Sequence, residues 1–298
     1  MNAPPLIFGE VLFDHFPDGE TVLGGAPFNV AWHLQALGAK PLTISRVGAD
    51  DQGERVTQAM RAWGMDDTGI QIDTQRATGR VDVEFADGDP RYTIRADAAW
   101  DAIAAEALPP IAGASLLYHG TLALRDPTSR QTLDTLRQFC GAPVFLDVNL
   151  RDPWWERERT LELISRARWV KLNRDELDRL AGTEGDAPTR ARRWAESFGL
   201  GLVIVTEGAE GAFAIDSSGR VTRPGRPRPA EVVDPVGAGD AFAAVTILGL
   251  LRGWDLETTL ARAQSFAAAV VGRRGAISAD HRHYREFARA WELAEVAP

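Results

Sequence analysis

The sequence lacks the features of secreted, membrane-spanning and nucleic-acid-binding proteins. It contains a single cysteine, Cys140, so no disulfide can form within the chain, and a reducing compartment is expected. Its longest apolar run, at residues 241–251, falls well short of the roughly 20 residues that span a bilayer. The formal net charge of −9 repels nucleic-acid phosphates and anionic lipid. These absences predict a cytoplasmic protein that binds neither membrane nor nucleic acid.

Three common enzyme signatures are also missing. Lysine occurs only at Lys40 and Lys171, and neither lies in the Gly-x-x-x-x-Gly-Lys-Ser/Thr loop of a P-loop NTPase. The first predicted strand runs into Gly9-Glu-Val-Leu-Phe-Asp14, not into the Gly-x-Gly-x-x-Gly turn of a dinucleotide-dependent oxidoreductase. The spacing of zinc ligands in a zinc hydrolase is not found, and we expect His281 and His283 to be solvated.

A regular alternation of strand and helix patterns is present instead. The chain has 298 residues, of which 45% are hydrophobic and 25% charged, as in an ordinary globular protein. Residues 6–13 predict a first strand, and further strand patterns alternate with helical ones, which favours a mostly parallel sheet with helices on both faces. Residues 79–94 differ, because two strand-like stretches flank the turn sequence Asp87-Gly-Asp-Pro90. They predict a hairpin that would act as a lid.

The segment Asp234-Pro-Val-Gly-Ala-Gly-Asp240 carries the strongest chemical signal, because an apolar helical pattern follows it directly. Its small residues leave backbone N–H groups uncovered at the start of the helix, and these donors suit a phosphate. Asp240 falls in the first turn, where a carboxylate can take a proton from an attacking hydroxyl. The motif alone is equally compatible with a helix N-cap that follows a glycine turn.

A second segment, Gly24-Gly-Ala-Pro-Phe-Asn29, combines a glycine pair with an amide side chain. Glycine lets a ligand approach the backbone closely. The Asn29 amide offers one donor group and one acceptor, which matches neighbouring hydroxyls of a sugar. By itself this segment is more often a plain turn into a helix, with the asparagine in solvent.

Together the two segments resemble both signatures of the PfkB, or ribokinase-like, family of carbohydrate kinases. Further segments resemble the family in its own order: Asp147-Val-Asn-Leu-Arg151, Lys171-Leu-Asn173-Arg-Asp-Glu176, Thr206-Glu-Gly208-Ala-Glu-Gly211 and Arg274-Gly275-Ala276. The resemblance covers nearly the whole chain. It implies a ribokinase-like α/β fold, with a mostly parallel central sheet, helices on both faces and a small β-lid. One domain would span residues 1–298, with the lid at about 15–23 and 70–98.

The resemblance also implies a role for each matching residue. The catalytic base would be Asp240, and the anion hole for the transferring γ-phosphate would be formed by Gly237, Ala238 and Gly239. The residues that contact ATP would be Lys171, Asn173, Thr206, Gly208, Gly211, Gln264 and Gly275. Mg²⁺ would be organised through water by Asn173 and Glu176, and K⁺ would be held near Asp234 and Val236. The residues that contact the sugar would be Asp14, Gly24, Gly25, Asn29, Tyr92, Ile94, Arg151 and Asp240.

The chain departs from the family pattern at Pro235, where threonine is usual, and at Gln264, where asparagine is common. The Ala99-Trp-Asp101 triplet and the double tryptophan at Trp154 most resemble bacterial fructokinases. We therefore expect fructose to be converted to fructose 6-phosphate, and a homodimer that forms through the lid. The alternatives are other acceptors, namely 2-keto-3-deoxygluconate, ribose or a nucleoside, and a non-catalytic sugar sensor. The intact Asp240 and its glycines argue against the sensor.

Overall fold

Two β-sheets organise the computed structural model, which describes residues 3–86, 89–226 and 231–293. The strands are β1 (Pro5–Phe8), β2 (Leu12–His15), β3 (Thr21–Gly24), β4 (Leu42–Gly48), β5 (Ile70–Asp73), β6 (Gly79–Ala86), β7 (Asp89–Ile94), β8 (Leu116–His119), β9 (Val144–Asp147), β10 (Trp169–Asn173), β11 (Leu202–Thr206), β12 (Ala212–Asp216) and β13 (Val221–Thr222). The larger sheet has nine strands in the order β13-β12-β11-β10-β9-β8-β1-β4-β5. In this sheet β5, β4, β1, β8, β9, β10 and β11 are parallel to one another. At one edge β12 pairs antiparallel with β11, and β13 pairs antiparallel with β12.

The helices up to Phe198 lie between strands along the chain, and the last three of the described helices follow the final strand. The helices are α1 (Ala26–Ala36), α2 (Asp51–Ala62), α3 (Pro127–Cys140), α4 (Arg157–Ser165), α5 (Arg174–Ala181), α6 (Ala187–Phe198), α7 (Ala238–Arg252), α8 (Leu256–Val271) and α9 (His281–Ala290). Short 3-10 turns lie at Ala99–Ala102, Ala105–Ala107, Leu122–Arg125 and Gly208–Glu210. Within the described ranges, no helix combines the length and the apolar character needed to cross a membrane.

The larger sheet is covered on both faces, as its strand sequences demand. Successive side chains of β1 point to opposite faces: Leu6 and Phe8 enter one hydrophobic cluster, and Ile7 enters the other. The first cluster includes side chains of α3, α5 and α6, and the second includes those of α1, α7 and α8. The predicted α/β class, with a mostly parallel sheet between two helical layers, is confirmed.

The second sheet has four strands in the order β3-β2-β6-β7. Its register places Asp14 beside Val81, and Val81 beside Ile94, on one face. The lid was expected at about residues 15–23 and 70–98. The sheet begins earlier, at Leu12, and the segment Ile70–Asp73 pairs with β4 of the larger sheet instead.

The single strand predicted over residues 6–13 is wrong, because this run is divided between the two sheets. The chain leaves β1 at Gly9, whose φ is +150°, and enters β2 at Leu12. A Cβ on Gly9 would lie 2.5 Å from Cγ of Pro27, so the turn needs glycine. An apolar run alone does not reveal such a break, because both halves are buried strands.

The expectation of solvated histidines near the C-terminal end is also wrong. The sequence from His281 forms α9, and His283 is only 5% exposed, stacked on Phe266. His281 stacks on Trp63 with 4.1 Å between the ring centroids. This amphipathic helix completes the cluster that contains α1 and α8, so the loop before it, at residues 273–280, is anchored.

Candidate active site

The carboxyl ends of β1, β9, β10 and β11 lie at one edge of the larger sheet, and the predicted site residues gather there. This edge is where open α/β sheets bind ligands, close to the point at which strand order reverses. The reversal occurs at β1, since the chain builds β4 and β5 on one side of it and β8 to β13 on the other. The lid sheet grows from the same end of β1.

Helix α7 begins at this edge, with its N-cap at Gly237. This residue has a φ of +82°, and a Cβ on it would lie 2.4 Å from Cβ of Ala276. Glycine is therefore required both for the turn and for the close approach of the two loops. Among the residues that the structure describes, no side chain caps the helix, so backbone N–H groups of Gly239 and Asp240 remain available at its positive end. The predicted cradle for an anion is thus open to a ligand.

Asp240 lies in the first turn of α7 and is partly buried. Its Oδ2 accepts a hydrogen bond of 2.8 Å from Nδ2 of Asn29, which projects from α1. Loss of hydration raises the pKa of Asp240 to about 6, and the charge of Asp147 adds to the rise. The Asn29 hydrogen bond and the charges of Lys171 and Arg151 act in the opposite direction. The carboxylate is therefore ionised at neutral pH but is a stronger base than an exposed aspartate.

A buried ion pair lies directly under the first turn of α7. Nζ of Lys171 donates to both carboxylate oxygens of Asp147 at 2.8 Å, and the two residues are 5% and 1% exposed. A Cβ on Gly239 would lie 3.6 Å from that Nζ. Lys171 was predicted to contact ATP. The geometry places its ammonium group against Asp147 and under the start of α7.

The lid contributes Asp14, and the glycine turn lies against it. A Cβ on Gly24 would be 3.5 Å from Oδ2 of Asp14. Burial raises the pKa of Asp14 to about 6, and the negative charge of Asp234 contributes. Tyr92 is 48% exposed at the lid edge, and Ile94 is half-buried on the same face as Asp14. Ile94 packs against the small cluster that contains Ala98 and Trp100. Tyr92 lies near Asp14 and Asp234, whose charges add to the rise that burial causes in its pKa.

The lid contacts the loop that precedes α9. Nη2 of Arg274 pairs with Oε2 of Glu20 at 2.5 Å, and Gly275 lies close to Val22 of β3. The ion pair is exposed and contributes little energy by itself. It nevertheless shows the lid lying over the candidate site and not turned away from it.

A cavity of about 500 Å³ opens beyond α7, at the ends of β10 and β11. The predicted nucleotide residues Asn173, Thr206 and Gly208 line it together. Gly211 closes the same turn, since its carbonyl accepts the N–H of Glu207 at 2.8 Å. The turn after β11 thus brings Thr206, Gly208 and Gly211 together near Asn173, whereas Lys171, Gln264 and Gly275 do not line this cavity.

Charged residues that the sequence did not single out also line this cavity. Glu207 pairs with Arg174 at 2.8 Å and with Arg223 at 2.5 Å. The two arginines come from different elements, and only the fold brings them to one carboxylate. Their guanidinium groups are more than two-fifths exposed and suit the phosphates of a nucleotide.

Asn173 and Glu176 form a capping box at the start of α5. Oδ1 of Asn173 accepts the N–H of Glu176, and Oε2 of Glu176 accepts the N–H of Asn173, both at 2.8 Å. Oε1 of Glu176 accepts the N–H of Leu150 at 2.7 Å, which ties α5 to the loop that carries Arg151. Burial raises the pKa of Glu176. Glu176 is 5% exposed and does not line the cavity, so it could act on Mg²⁺ only indirectly. Asn173 does line the cavity.

Asp234 ties the two loops around the start of α7. Its Oδ1 accepts the N–H of Val236 at 3.0 Å, and its Oδ2 accepts the N–H of Gly275 at 2.9 Å. The predicted K⁺ position therefore contains a carboxylate whose two oxygens each accept a backbone N–H. In the described part of the chain, no group of three or more His, Cys, Asp or Glu side chains could hold a metal.

Two predicted contact residues use their polar groups within the protein. Gln264 is 6% exposed; its Oε1 accepts the N–H of Ala212 and its Nε2 donates to the carbonyl of Gly225. Arg151 is exposed beside the site, where Nη1 donates to the carbonyl of Leu150. Gln264 therefore holds the segments at Ala212 and Gly225 in place with its amide group. The guanidinium of Arg151, in contrast, retains free donors.

Comparisons with known proteins agree with this geometry. The family described as "pfkB family carbohydrate kinase" matches residues 7–282, so the chain belongs to the PfkB family of carbohydrate kinases. It is 31% identical to a fructokinase of Klebsiella pneumoniae over 301 residues, 94% of this chain and 96% of that protein. It is 30% identical to the aminoimidazole riboside kinase of Salmonella typhimurium over 292 residues, 92% and 90% of the two chains.

A solved structure shares the fold over nearly its whole length. The fructokinase of Vibrio cholerae O395, with bound fructose, ADP and calcium ion, superposes with a TM-score of 0.81 at 23% identity. The superposition covers 96% of this chain and 98% of that one. The predicted family and fold are therefore confirmed, and the protein is a sugar kinase of the PfkB family.

Proposed function

We propose that this sugar kinase transfers the γ-phosphate of ATP to fructose and forms fructose 6-phosphate. The observation that carries the proposal is the hydrogen bond from Asn29 to Asp240 beside the uncapped start of α7. It sets a carboxylate base next to backbone N–H donors, where a terminal phosphate would meet an alcohol. Fructose is favoured over other acceptors by the fructokinase relative at 31% identity.

Phosphoryl transfer needs a base for the attacking hydroxyl, stabilisation of charge on the phosphate oxygens, and in-line positioning. The chain's own residues would supply the first two. Asp240 would take the proton of the attacking hydroxyl as its oxygen bonds to the γ-phosphorus and the bond from that phosphorus to the bridging oxygen breaks, releasing ADP. The backbone N–H groups of Gly239 and Asp240 would stabilise the charge on the oxygens of the transferring group. Asn29 would keep Oδ2 of Asp240 oriented, so that the other oxygen faces the hydroxyl.

The nucleotide would occupy the 500 Å³ cavity at the ends of β10 and β11, with its γ-phosphate toward α7. Mg²⁺, bound to the phosphates, would neutralise their charge, and Asn173 would contact its water shell. Arg174 and Arg223 would exchange part of their pairing with Glu207 for phosphate oxygens. K⁺ near Asp234 and Val236, and a homodimer through the lid sheet, remain predictions.

The lid would exclude water from the acceptor space. Asp14 would accept hydrogen bonds from sugar hydroxyls, while Tyr92 and Ile94 would cover the ring from above. Water is a competing acceptor for phosphate, so exclusion suppresses ATP hydrolysis. Gly24 and Gly25 would contact the sugar through their backbone, and Gly25 also allows the close approach of the Glu10 main chain, since a Cβ on it would lie 2.6 Å from the Glu10 carbonyl oxygen.

The test is a coupled ADP-release screen with Mg-ATP. The acceptors are fructose, ribose, mannose, 2-keto-3-deoxygluconate, aminoimidazole riboside and common nucleosides. We expect fructose to give the highest kcat/KM, with the phosphate on O6 by ³¹P and ¹³C NMR of the product. A higher kcat/KM for another acceptor would replace fructose as the substrate. Absence of turnover with every acceptor would favour the sugar-sensor alternative.

A further inference from the structure

The loop at residues 273–280 lies against the start of α7. The N–H of Gly275 donates to Oδ2 of Asp234 at 2.9 Å. Ala276 packs on the N-cap of α7, because a Cβ on Gly237 would lie only 2.4 Å from Cβ of Ala276. The place of this loop therefore helps to set where α7 begins, and with it the position of the backbone donors of the anion site.

Helix α1 holds this loop at Ser278. Nε1 of Trp32 donates to the carbonyl of Ser278 at 3.0 Å, and Trp32 is 5% exposed. The N–H of Ser278 makes a longer bond, of 3.4 Å, to the hydroxyl of Tyr284 in α9. Both backbone groups of this one loop residue are therefore bound by aromatic side chains from two different helices.

His33 follows Trp32 in α1 and extends the contact. Its Nδ1 lies 3.1 Å from the hydroxyl of Tyr284. Its Nε2 is buried and has no partner of ordinary geometry among the described residues. Burial lowers the pKa of His33 to about 3, whereas the backbone of Ala276 is near enough to act in the opposite direction. The ring is thus neutral and lies beside the loop, where His33, Ala276, Ser278 and Tyr284 line one small cavity of about 60 Å³.

The polar side chains of α1 have a spacing that links the loop to the proposed base. Asn29 and His33 are both buried and lie four residues apart, so they project from the same face of the helix. Asn29 donates to Asp240, and His33 meets the loop. An apolar side chain could pack on Phe266 as His33 does, with 5.2 Å between ring centroids, and would not lose the hydration of an imidazole. Packing alone does not explain a histidine here.

We propose that Trp32, His33 and Tyr284 are positioning residues of phosphoryl transfer. They fix the loop at residues 273–280, which in turn holds the start of α7 where the transferring phosphate needs it. The inference rests on the proposed function, in that the start of α7 is taken to bind that phosphate. It goes further by giving α1 a second task besides the orientation of the base. Displacement of catalytic groups by about 1 Å can cost about 100-fold in rate, so the hold on the loop should be measurable.

The first test removes one polar group at a time and keeps an aromatic ring in place. Tyr284→Phe removes the hydroxyl, and Trp32→Phe removes the indole N–H that binds Ser278. With fructose and Mg-ATP, we expect kcat to fall about 10- to 100-fold in each variant while the KM for fructose stays within about threefold of wild type. A residue that served only in folding would leave the kcat of the folded protein unchanged.

The matched control is Trp291→Phe. Trp291 is 9% exposed and belongs to the same hydrophobic cluster as Trp32 and Tyr284. Its ring meets that of Trp254 edge to face at 5.8 Å, and it does not line the cavity beside the loop. The substitution truncates a buried indole to the same extent as Trp32→Phe. We expect it to lower the unfolding temperature and to leave kcat and the KM for fructose unchanged.

Amide hydrogen exchange reports on the loop without any substrate. The N–H of Gly275 is bonded to Asp234 and not to a substituted residue, so its exchange shows whether the whole loop has loosened. We expect this exchange to be about 10-fold faster or more in Tyr284→Phe and Trp32→Phe than in wild type. In Trp291→Phe it should match wild type.

The outcomes separate the inference from the function on which it rests. Wild type that phosphorylates no sugar contradicts the proposed function. Active wild type, with folded Tyr284→Phe and Trp32→Phe whose kcat is within about threefold of it, overturns the inference alone. An equal fall of kcat in Trp291→Phe, a loss confined to the KM for fructose, or unchanged exchange at Gly275 would also overturn it. If Tyr284→Phe does not fold, Trp32→Phe decides.

Discussion

Asn29 and Asp240 are 211 positions apart in the chain, yet Nδ2 of Asn29 donates a 2.8 Å hydrogen bond to Oδ2 of Asp240. The contact joins the first turns of α1 and α7, which pack side by side on one face of the larger sheet. The two strongest motifs in the sequence therefore form one unit. The asparagine orients the carboxylate that we propose as the base and also lowers its pKa, against the rise that burial causes.

The Asn29 hydrogen bond should be visible in the pH dependence of turnover. A base with a pKa of about 6 predicts that kcat/KM falls below that pH in wild type. Asn29→Ala removes a contact that lowers this pKa, so the acid limb should move to higher pH. We also expect kcat to fall about 10- to 100-fold, because the carboxylate loses its orientation.

The control for this variant is Gln35→Ala, in the same helix, where the amide binds the carbonyl of Gly64 at the surface. It should leave both the acid limb and kcat unchanged. An acid limb in Asn29→Ala that stays in place or moves to lower pH would contradict the assigned contact.

The two glycines that flank α7 allow a matched test of the anion cradle. Gly237 and Gly253 both have positive φ, at +82° and +67°, but only a Cβ on the first meets another residue. Both substitutions to alanine should cost about 1 kcal/mol of unfolding free energy from backbone strain. Gly237→Ala should in addition push the α7 start away from Ala276 and lower kcat at least about 100-fold. Thermal unfolding of both variants shows whether each is folded at the assay temperature. A similar kcat in the two folded variants would argue against an anion site at the start of α7.

Substitutions in the Lys171–Asp147 ion pair should lower both the free energy of unfolding and the activity. Lys171→Met leaves a buried carboxylate without its partner and should cost about 3–5 kcal/mol in urea unfolding. Adding Asp147→Leu should restore much of that stability, because the orphaned charge is removed. Activity should stay low in the double variant, since no cation remains under the first turn of α7. Recovery of activity together with stability would show that the pair acts only in folding.

Asp234 predicts a response to monovalent cations. If K⁺ binds near the carboxylate that joins Val236 and Gly275, turnover should be higher in KCl than in tetramethylammonium chloride at equal ionic strength. Asp234→Asn should abolish the difference and weaken ATP binding, since the loop at Gly275 loses its charged anchor. Equal turnover of wild type in the two salts would remove K⁺ from the account.

The sequence predicted those parts of the molecule that depend on short segments. Asp240 and its glycines lie in one run of residues, and the turn that carries Thr206 and Gly208 lies in another, but each was assigned to the site only through the family resemblance. Alternating strand and helix patterns predicted the layered sheet, because local periodicity reports which faces are buried. The relative positions of these segments followed from the family resemblance and not from the pattern.

Features that arise only when distant segments meet could not be predicted in this way. The bend at Gly9 depends on the position of Pro27, and the burial of His283 depends on Phe266. The clustering of Arg174 and Arg223 on Glu207 depends on the arrangement of β10 and β13. The burial of Glu10, whose Oε2 has no hydrogen-bond partner among the described residues, is likewise a property of the fold.

The most direct test of the central claim is the turnover of Asp240→Asn with ATP binding measured on the same protein. The substitution keeps the shape of the side chain and removes the base. We predict that kcat falls at least about 1,000-fold while the Kd for Mg-ATP, by calorimetry, stays within about threefold of wild type. A kcat within about tenfold of wild type would contradict the assignment of Asp240 as the base.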